Sequence, residues 1–106
     1  MELKKILVGL ENLKVKGNLD TEIKGIAKSS NEVKEGYLFV AIKGFTVDGH
    51  NFIEDAIKNG ATAVMVEEGC DLKSIKFKED TIIIMAKSTR EGLAIVSSNF
   101  YNNPST

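Results

Sequence analysis

The chain has 106 residues, of which 42% are hydrophobic and 27% charged, and this is the length and mixture of one ordinary globular domain. Its 14 Lys and Arg residues nearly balance 15 Asp and Glu residues, which argues against a nucleic-acid partner because such proteins carry a basic excess or stripe. A single cysteine and a single histidine rule out an intramolecular disulfide and argue against a zinc site. The chain has neither a signal-peptide pattern nor an apolar run near the roughly 18 residues of a membrane span, so we expect a cytoplasmic protein without membrane insertion.

The first part of the chain predicts one helix and two weak strands. Apolar residues recur there at helical spacing: Leu3, Ile6, Leu7 and Leu10. They predict a short amphipathic helix that ends near Gly9. Residues 13–16, where apolar side chains alternate with lysines, and residues 22–27 predict half-exposed strands. We expect this early part to add an edge to the sheet or a small separate ribbon.

Three continuous apolar runs follow, at residues 37–42, 61–66 and 81–85, and such runs are typical of strands buried on both faces of a sheet. Between the first two, residues 51–59 predict a helix ended by Gly60. Its apolar face holds Phe52, Ile53, Ala56 and Ile57. A capping box, Ser88 with Glu91 three residues later, opens a last helix. The order of elements predicts an α/β fold, with a small, mostly parallel (mixed) sheet flanked by helices in one domain, 1–106.

Ligands of open parallel sheets bind beyond the carboxyl ends of the strands. Two loops leave such ends, at residues 43–49 and 87–89. The polar residues 28–31 would contribute to the same site if they lie beside the first buried strand. In the first loop, Phe45 is suited to stacking on a planar base and Thr46 to hydrogen bonding. The same composition also fits a plain turn in which the glycines only bend the chain and Phe45 covers the core.

Motifs for phosphate chemistry are missing from the sequence. It contains neither a G-x-x-x-x-G-K-[ST] phosphate loop nor a G-x-G-x-x-G fingerprint. Ser29 and Ser30 have no visible base or oxyanion partner, so they are candidates for hydrogen bonding to a ligand rather than nucleophiles. We therefore predict no catalytic residue, no metal site and no phosphate-driven reaction by this chain alone.

The sequence resembles the N-terminal domains of Mur ligases. Residues 33–44 match the signature V-x-x-G-x-L-F-V-A-x-x-G, and D-G-H-N-F-I follows at residues 48–53. The run T-R-E-G-L-A at residues 89–94 and N-F-Y at residues 99–101 resemble the boundary before the family's ATP-binding domain. These ordered motifs extend the resemblance over essentially the whole chain.

Within the family, the boundary motif N-F-Y at residues 99–101 and the short loop around Phe45 are most similar to the MurE type. That type joins UDP-N-acetylmuramoyl-L-alanyl-D-glutamate to a diamino acid, meso-diaminopimelate or L-lysine, with ATP and Mg²⁺. The alternatives are a MurF-type N-terminal domain, or a stand-alone nucleotide-binding or interaction module without catalysis. The resemblance implies that the partners are UDP-N-acetylmuramoyl-dipeptide and the parent ligase's ATP-binding and C-terminal domains, which lie outside these residues. ATP and Mg²⁺ would then belong to the parent enzyme, with no cofactor in this fragment, which is predicted to be inactive alone.

The resemblance also implies which residues hold the UDP moiety. The serine of the family's Asp-Ser-Arg motif falls on Ser30, and the nucleotide-contacting residue two positions earlier falls on Lys28. The contact loop falls on Phe45, Thr46 and Val47. This chain has Ser-Ser-Asn at residues 29–31, so both charges of the motif are absent, as expected if an ion pair that fixed the loop were lost.

Overall fold

The computed structural model describes residues 1–11, 13–42, 52–69, 77 and 80–101. The helices are α1 (Leu3–Ile6), α2 (Ile53–Lys58) and α3 (Thr89–Tyr101). The strands are β1 (Lys14–Lys16), β2 (Gly25–Ala27), β3 (Tyr37–Val40), β4 (Ala63–Glu67) and β5 (Ile82–Ala86). A 3-10 turn spans Ser30–Glu32 between β2 and β3.

The five strands form one sheet in the order β1-β5-β4-β3-β2. β2 to β5 run parallel to one another, whereas β1 is antiparallel to β5. The prediction of a small, mostly parallel mixed sheet flanked by helices is therefore confirmed. The early part of the chain supplies both outer strands of this sheet, which is more than the single edge or separate ribbon that we expected.

The core lies on both faces of the sheet, because successive side chains of a strand point to opposite faces. On one face Leu38 and Val40 of β3 belong to the same buried cluster as residues of α1 and α3. On the other face Phe39 packs in a cluster with Ile53 and other residues of α2. β3 and β4 are buried on both faces as predicted, but β5 is not, since its side chains on the α2 face are half-buried.

The helix ends follow the predicted signals. Gly60, just after α2, has φ +118°, a conformation that favours glycine. At the start of α3 the Ser88 hydroxyl accepts a hydrogen bond from the N–H of Glu91 at 3.3 Å, so the capping box forms on its Ser88 side. A Glu67 carboxylate oxygen accepts a second bond, from the N–H of Thr89 at 3.4 Å. Two acceptors therefore already occupy the first turn of α3.

Candidate functional site

The carboxyl ends of β2 and β3 lie side by side, because the two strands are parallel neighbours. The chain leaves β2 through residues 28–33, which we call the Ser30 turn, and leaves β3 through Ile42. A concavity of about 360 Å³ opens at this edge of the sheet, and we call it the Ser30 concavity. Its lining consists of Lys28, Ser29, Ser30, Asn31, Phe39, Ile42, Phe52 and Asp55. Residues 28–31 therefore meet the condition for contributing to this site, since they lie beside the first buried strand.

The Ser30 concavity combines an apolar side with a polar side. Ile42 and Phe52 supply the accessible apolar surface, with the fully buried Phe39 behind them, and Phe52 is 38% exposed. The polar surface comes from the Ser30 turn, where Ser30 is buried and the Lys28 side chain is exposed. A few polar groups set against an aromatic surface suit a planar ligand that carries hydrogen-bonding groups.

Among the described residues, hydrogen bonds within the Ser30 turn and from α2 hold it in place. Within the turn, the N–H of Glu32 donates to the carbonyl of Ser29 at 3.0 Å, and the N–H of Val33 donates to the carbonyl of Ser30 at 3.3 Å. From α2, the side-chain amide of Asn59 donates to the same Ser30 carbonyl at 2.7 Å. Ser29 makes no side-chain cap on the 3-10 turn. Residues 28–31 also make no ion pair with another described residue.

Of the five predicted contact residues, the structure brings two together and leaves three untested. Lys28 and Ser30 both line the Ser30 concavity. Phe45, Thr46 and Val47 lie outside the described residues. The residues that flank their segment, Ile42 and Phe52, both line the same concavity.

Sequence reasoning missed Phe52 and Asp55 as residues of the site. The helical periodicity placed Phe52 on the buried face of α2, which is wrong. Phe52 stands before the first turn with φ −107° and ψ 7°, so its ring leaves the buried face and is partly exposed. Asp55 points to the same side of α2. The signal available in advance was that the predicted helix starts at the carboxyl end of a parallel strand, where ligands bind.

The second predicted loop lies in a different concavity, of about 350 Å³. Lys87 and Ser88 line it, together with two carboxylate residues, Glu11 and Glu91. Among the described residues, it shares no lining residue with the Ser30 concavity. Its acidic lining makes it a poor site for an anion.

A third concavity, of about 420 Å³, is lined by residues that precede β3 and β5 and follow α2. Glu35 and Asp80 outnumber Lys58 there, so it too carries more negative than positive charge. In the Ser30 concavity, Lys28 and Asp55 balance each other. Charge and position therefore both favour the Ser30 concavity as the candidate site.

The described residues do not fit a site for ATP and Mg²⁺. No three His, Cys, Asp or Glu side chains among them are grouped closely enough to hold a metal ion. The sequence also lacks the glycine-rich loop that cradles phosphates. In the part of the chain that the structure describes, no helix is both long and apolar enough to span a bilayer.

The sheet and the Ser30 concavity define a small α/β domain with a concavity at the carboxyl ends of its parallel strands. Residues 22–101 match the protein-family model described as "Mur ligase family, catalytic domain". The chain belongs to the Mur ligase family and corresponds to the N-terminal domain of its members, which confirms the resemblance read from the motifs.

Curated relatives share this sequence over nearly its whole length. The chain is 42% identical to the UDP-N-acetylmuramoyl-L-alanyl-D-glutamate--2,6-diaminopimelate ligase of Clostridium perfringens, over 98% of this chain and 20% of that protein. It is 44% identical to the ligase of the same name from Clostridioides difficile, over 99% of this chain and 20% of that protein. The chain thus spans about a fifth of the length of these relatives.

Solved structures of the family share the fold. The MurF ligase from Thermotoga maritima in complex with ADP has 32% sequence identity and a TM-score of 0.56, over 78% of this chain and 17% of that one. A MurF structure from Acinetobacter baumannii has 23% identity and a TM-score of 0.58, again over 78% of this chain and 17% of that one. At that lower identity the likeness concerns the fold alone.

Proposed function

We propose that this chain is the N-terminal domain of a MurE-type ligase of peptidoglycan biosynthesis. Its role is to hold the UDP end of UDP-N-acetylmuramoyl-L-alanyl-D-glutamate while the parent enzyme adds 2,6-diaminopimelate. The names of the curated relatives support the reaction and the diamino acid. The observation that carries the binding role is the Ser30 concavity, where a polar turn with one cation faces an aromatic surface at the strand ends.

The residues of the proposed UDP site are Lys28, Ser30, Phe45, Thr46 and Val47. The buried position of Ser30 in the concavity suits a hydroxyl that hydrogen-bonds a ligand, and the exposed Lys28 adds a positive charge beside it. For the three loop residues, the support is that Ile42 and Phe52, at the two ends of their segment, line the same concavity. Phe52 adds an aromatic face to this set.

The ATP and Mg²⁺ of the parent reaction would be held by domains outside this chain, because the described residues and the sequence offer no site for them. We assign no catalytic residue and no step of amide-bond formation to this domain. A cytoplasmic location fits the single cysteine, since a lone thiol is usual where thiols stay reduced.

An NMR titration of the ¹⁵N-labelled chain with UDP-N-acetylmuramoyl-L-alanyl-D-glutamate, and with UDP alone, tests the binding role. We expect shifts of the amides of residues 28–31 and 45–47 with both ligands, and weaker binding after Ser30→Ala. Ser98→Ala, an exposed serine of α3, is the matched control and should leave the affinity unchanged. Absence of shifts up to millimolar ligand would favour a non-catalytic interaction module and refute the proposal.

A MurF-type parent is the second candidate, because the solved structures with the same fold include MurF ligases. Both types share the UDP end of the substrate, so titration of the domain does not separate them. The acceptor used by the full-length parent does, since a MurE-type enzyme adds diaminopimelate and a MurF-type enzyme adds a dipeptide.

A further inference from the structure

We infer that Asn59 is a positioning residue for the proposed UDP site, acting through the carbonyl of Ser30. Its side-chain amide donates a 2.7 Å hydrogen bond to that carbonyl across 29 positions of sequence. This inference rests on the proposed function, because it assumes that Ser30 contacts the ligand. Asn59 itself does not line the Ser30 concavity.

The bond matters because the Ser30 turn is short and weakly held by itself. A 3-10 turn of three residues, Ser30–Glu32, makes few internal bonds, and the bond from Val33 to the Ser30 carbonyl is long at 3.3 Å. Within the described residues, the Asn59 amide is the hydrogen-bonding group of another element that ties this turn down. Without it, the Ser30 hydroxyl would sample positions away from the ligand, and binding would have to restrict that motion.

Asn59 also fixes the turn relative to the opposite side of the site. It ends α2 as the C-cap residue, and its backbone N–H donates to the carbonyls of Asp55 and Ala56 at 3.0 and 3.1 Å. Phe52 precedes the same helix and lines the concavity. Because a short helix is rigid, α2 sets the distance between Phe52 at its start and Asn59 at its end. The hydrogen bond from Asn59 then fixes the Ser30 turn relative to Phe52.

The test compares two substitutions that separate hydrogen bonding from shape. Asn59→Ala removes the side-chain amide, whereas Asn59→Asp keeps the shape but replaces the donating NH₂ by an oxygen that repels the carbonyl. Both should weaken binding of UDP-N-acetylmuramoyl-L-alanyl-D-glutamate by about two- to fivefold, the range for one partly exposed hydrogen bond. Lys58→Ala, the exposed neighbour on the same helix, is the control and should bind as the unsubstituted chain does.

A double-substitution cycle decides whether the effect passes through Ser30. In the Ser30→Ala background, Asn59→Ala should cause little further loss of affinity, since the group that Asn59 positions is gone. Full additivity of the two losses would overturn the inference, as would an Asn59→Asp chain that binds normally. A midpoint of thermal unfolding measured for each variant shows that it is folded.

The cycle also separates this inference from the proposed function. If the unsubstituted chain does not bind, or if Ser30→Ala binds normally, the proposed function fails. If Ser30→Ala weakens binding and Asn59→Ala does not, the inference alone fails.

Discussion

The hydroxyl of Tyr101 lies 3.4 Å from both the backbone nitrogen and the backbone oxygen of Ile26, 75 positions earlier in the sequence. Ile26 is the middle residue of β2, an outer strand of the sheet. The outward N–H and C=O groups of such a strand are open to pairing with another chain unless something covers them. The last residue of α3 thus covers the middle of this edge.

Tyr101→Phe should open that edge without moving the ring, whose edge-to-face contact with Phe100 has a centroid distance of 4.8 Å. We expect a loss of about 0.5–1 kcal/mol in the free energy of unfolding, because both bonds are long and the ring is exposed. Hydrogen exchange should accelerate at the amide of Ile26. The amide of Leu38 in the neighbouring strand β3 is the internal control, and equal acceleration there would indicate global destabilisation instead.

Gly60→Ala should destabilise the domain by about 2–4 kcal/mol, because a side chain there meets two obstacles. The backbone has φ +118°, and an added Cβ would lie 2.6 Å from the Cα of Glu35. Gly69→Ala is the matched control, since Gly69 has φ +91° but no atom of a described residue within 4 Å of an added Cβ. Its loss should be about 1 kcal/mol. Similar unfolding midpoints of the two variants in urea would show that the contact with Glu35 does not matter.

Thr89→Val should either change the free energy of unfolding by less than about 0.5 kcal/mol or raise it by about 1 kcal/mol. The Thr89 side chain is fully buried, and its hydroxyl oxygen has no hydrogen-bond partner in the described part of the structure. Valine keeps the shape and removes the unpaired polar group, while the backbone N–H that bonds Glu67 is retained. A loss above about 1 kcal/mol in chemical denaturation would mean that the hydroxyl is satisfied after all.

Lys28→Gln should weaken ligand binding mainly at low salt. Lys28 is exposed at the Ser30 concavity, so its attraction for the diphosphate of a UDP ligand is screened by added ions. We expect about a threefold loss at low ionic strength that shrinks towards none near 0.5 M salt. Lys34→Gln, at an exposed lysine outside the lining, is the control. A loss independent of salt would point to a direct, desolvated contact instead.

Asp20→Asn should lower the pKa of Lys4. A hydrogen bond from the Lys4 ammonium to Asp20, at 3.0 Å, is the main reason that the pKa of Lys4 lies above its ordinary value of 10.5, and the charges of Asp20 and Glu2 add to it. Because the folded pKa is raised, this stabilisation is fully present below pH 10.5 and disappears as the pH rises through the folded pKa. Titration of the Lys4 side chain by NMR checks the direction, and an unchanged pKa in the Asn variant would contradict it.

The sequence predicted the strands well where burial decides the residue type. β3 and β4 are covered on both faces, so nearly every position must be apolar, and the runs at residues 37–42 and 61–66 show it directly. Alternation with lysines at residues 13–16 indicated β1, whereas β2 has three residues that are all buried, so the prediction of a half-exposed strand there was wrong. Their places at opposite edges follow from pairing with β5 and β3, which local composition does not report.

The candidate site was predicted in part, for similar reasons. Ser30 and Lys28 came from a motif, and the strand-end rule included their segment on the condition that it lies beside the first buried strand. The exposed ring of Phe52 was missed, because helical periodicity does not tell which residue stands before the first turn. The Asn59 bond was missed as well, since an amide that reaches a main-chain carbonyl 29 positions away leaves no pattern of residue types.

Both borders of the sheet are completed by contacts between the beginning and the end of the chain. Lys14 pairs with Met85 at one border, and Tyr101 reaches Ile26 at the other. During synthesis, the contacts of Lys14 and Ile26 with their distant partners can therefore form only after almost all of residues 1–101 have left the ribosome. Such distant closures slow folding, so we expect the nascent chain to stay open to chaperones until α3 emerges.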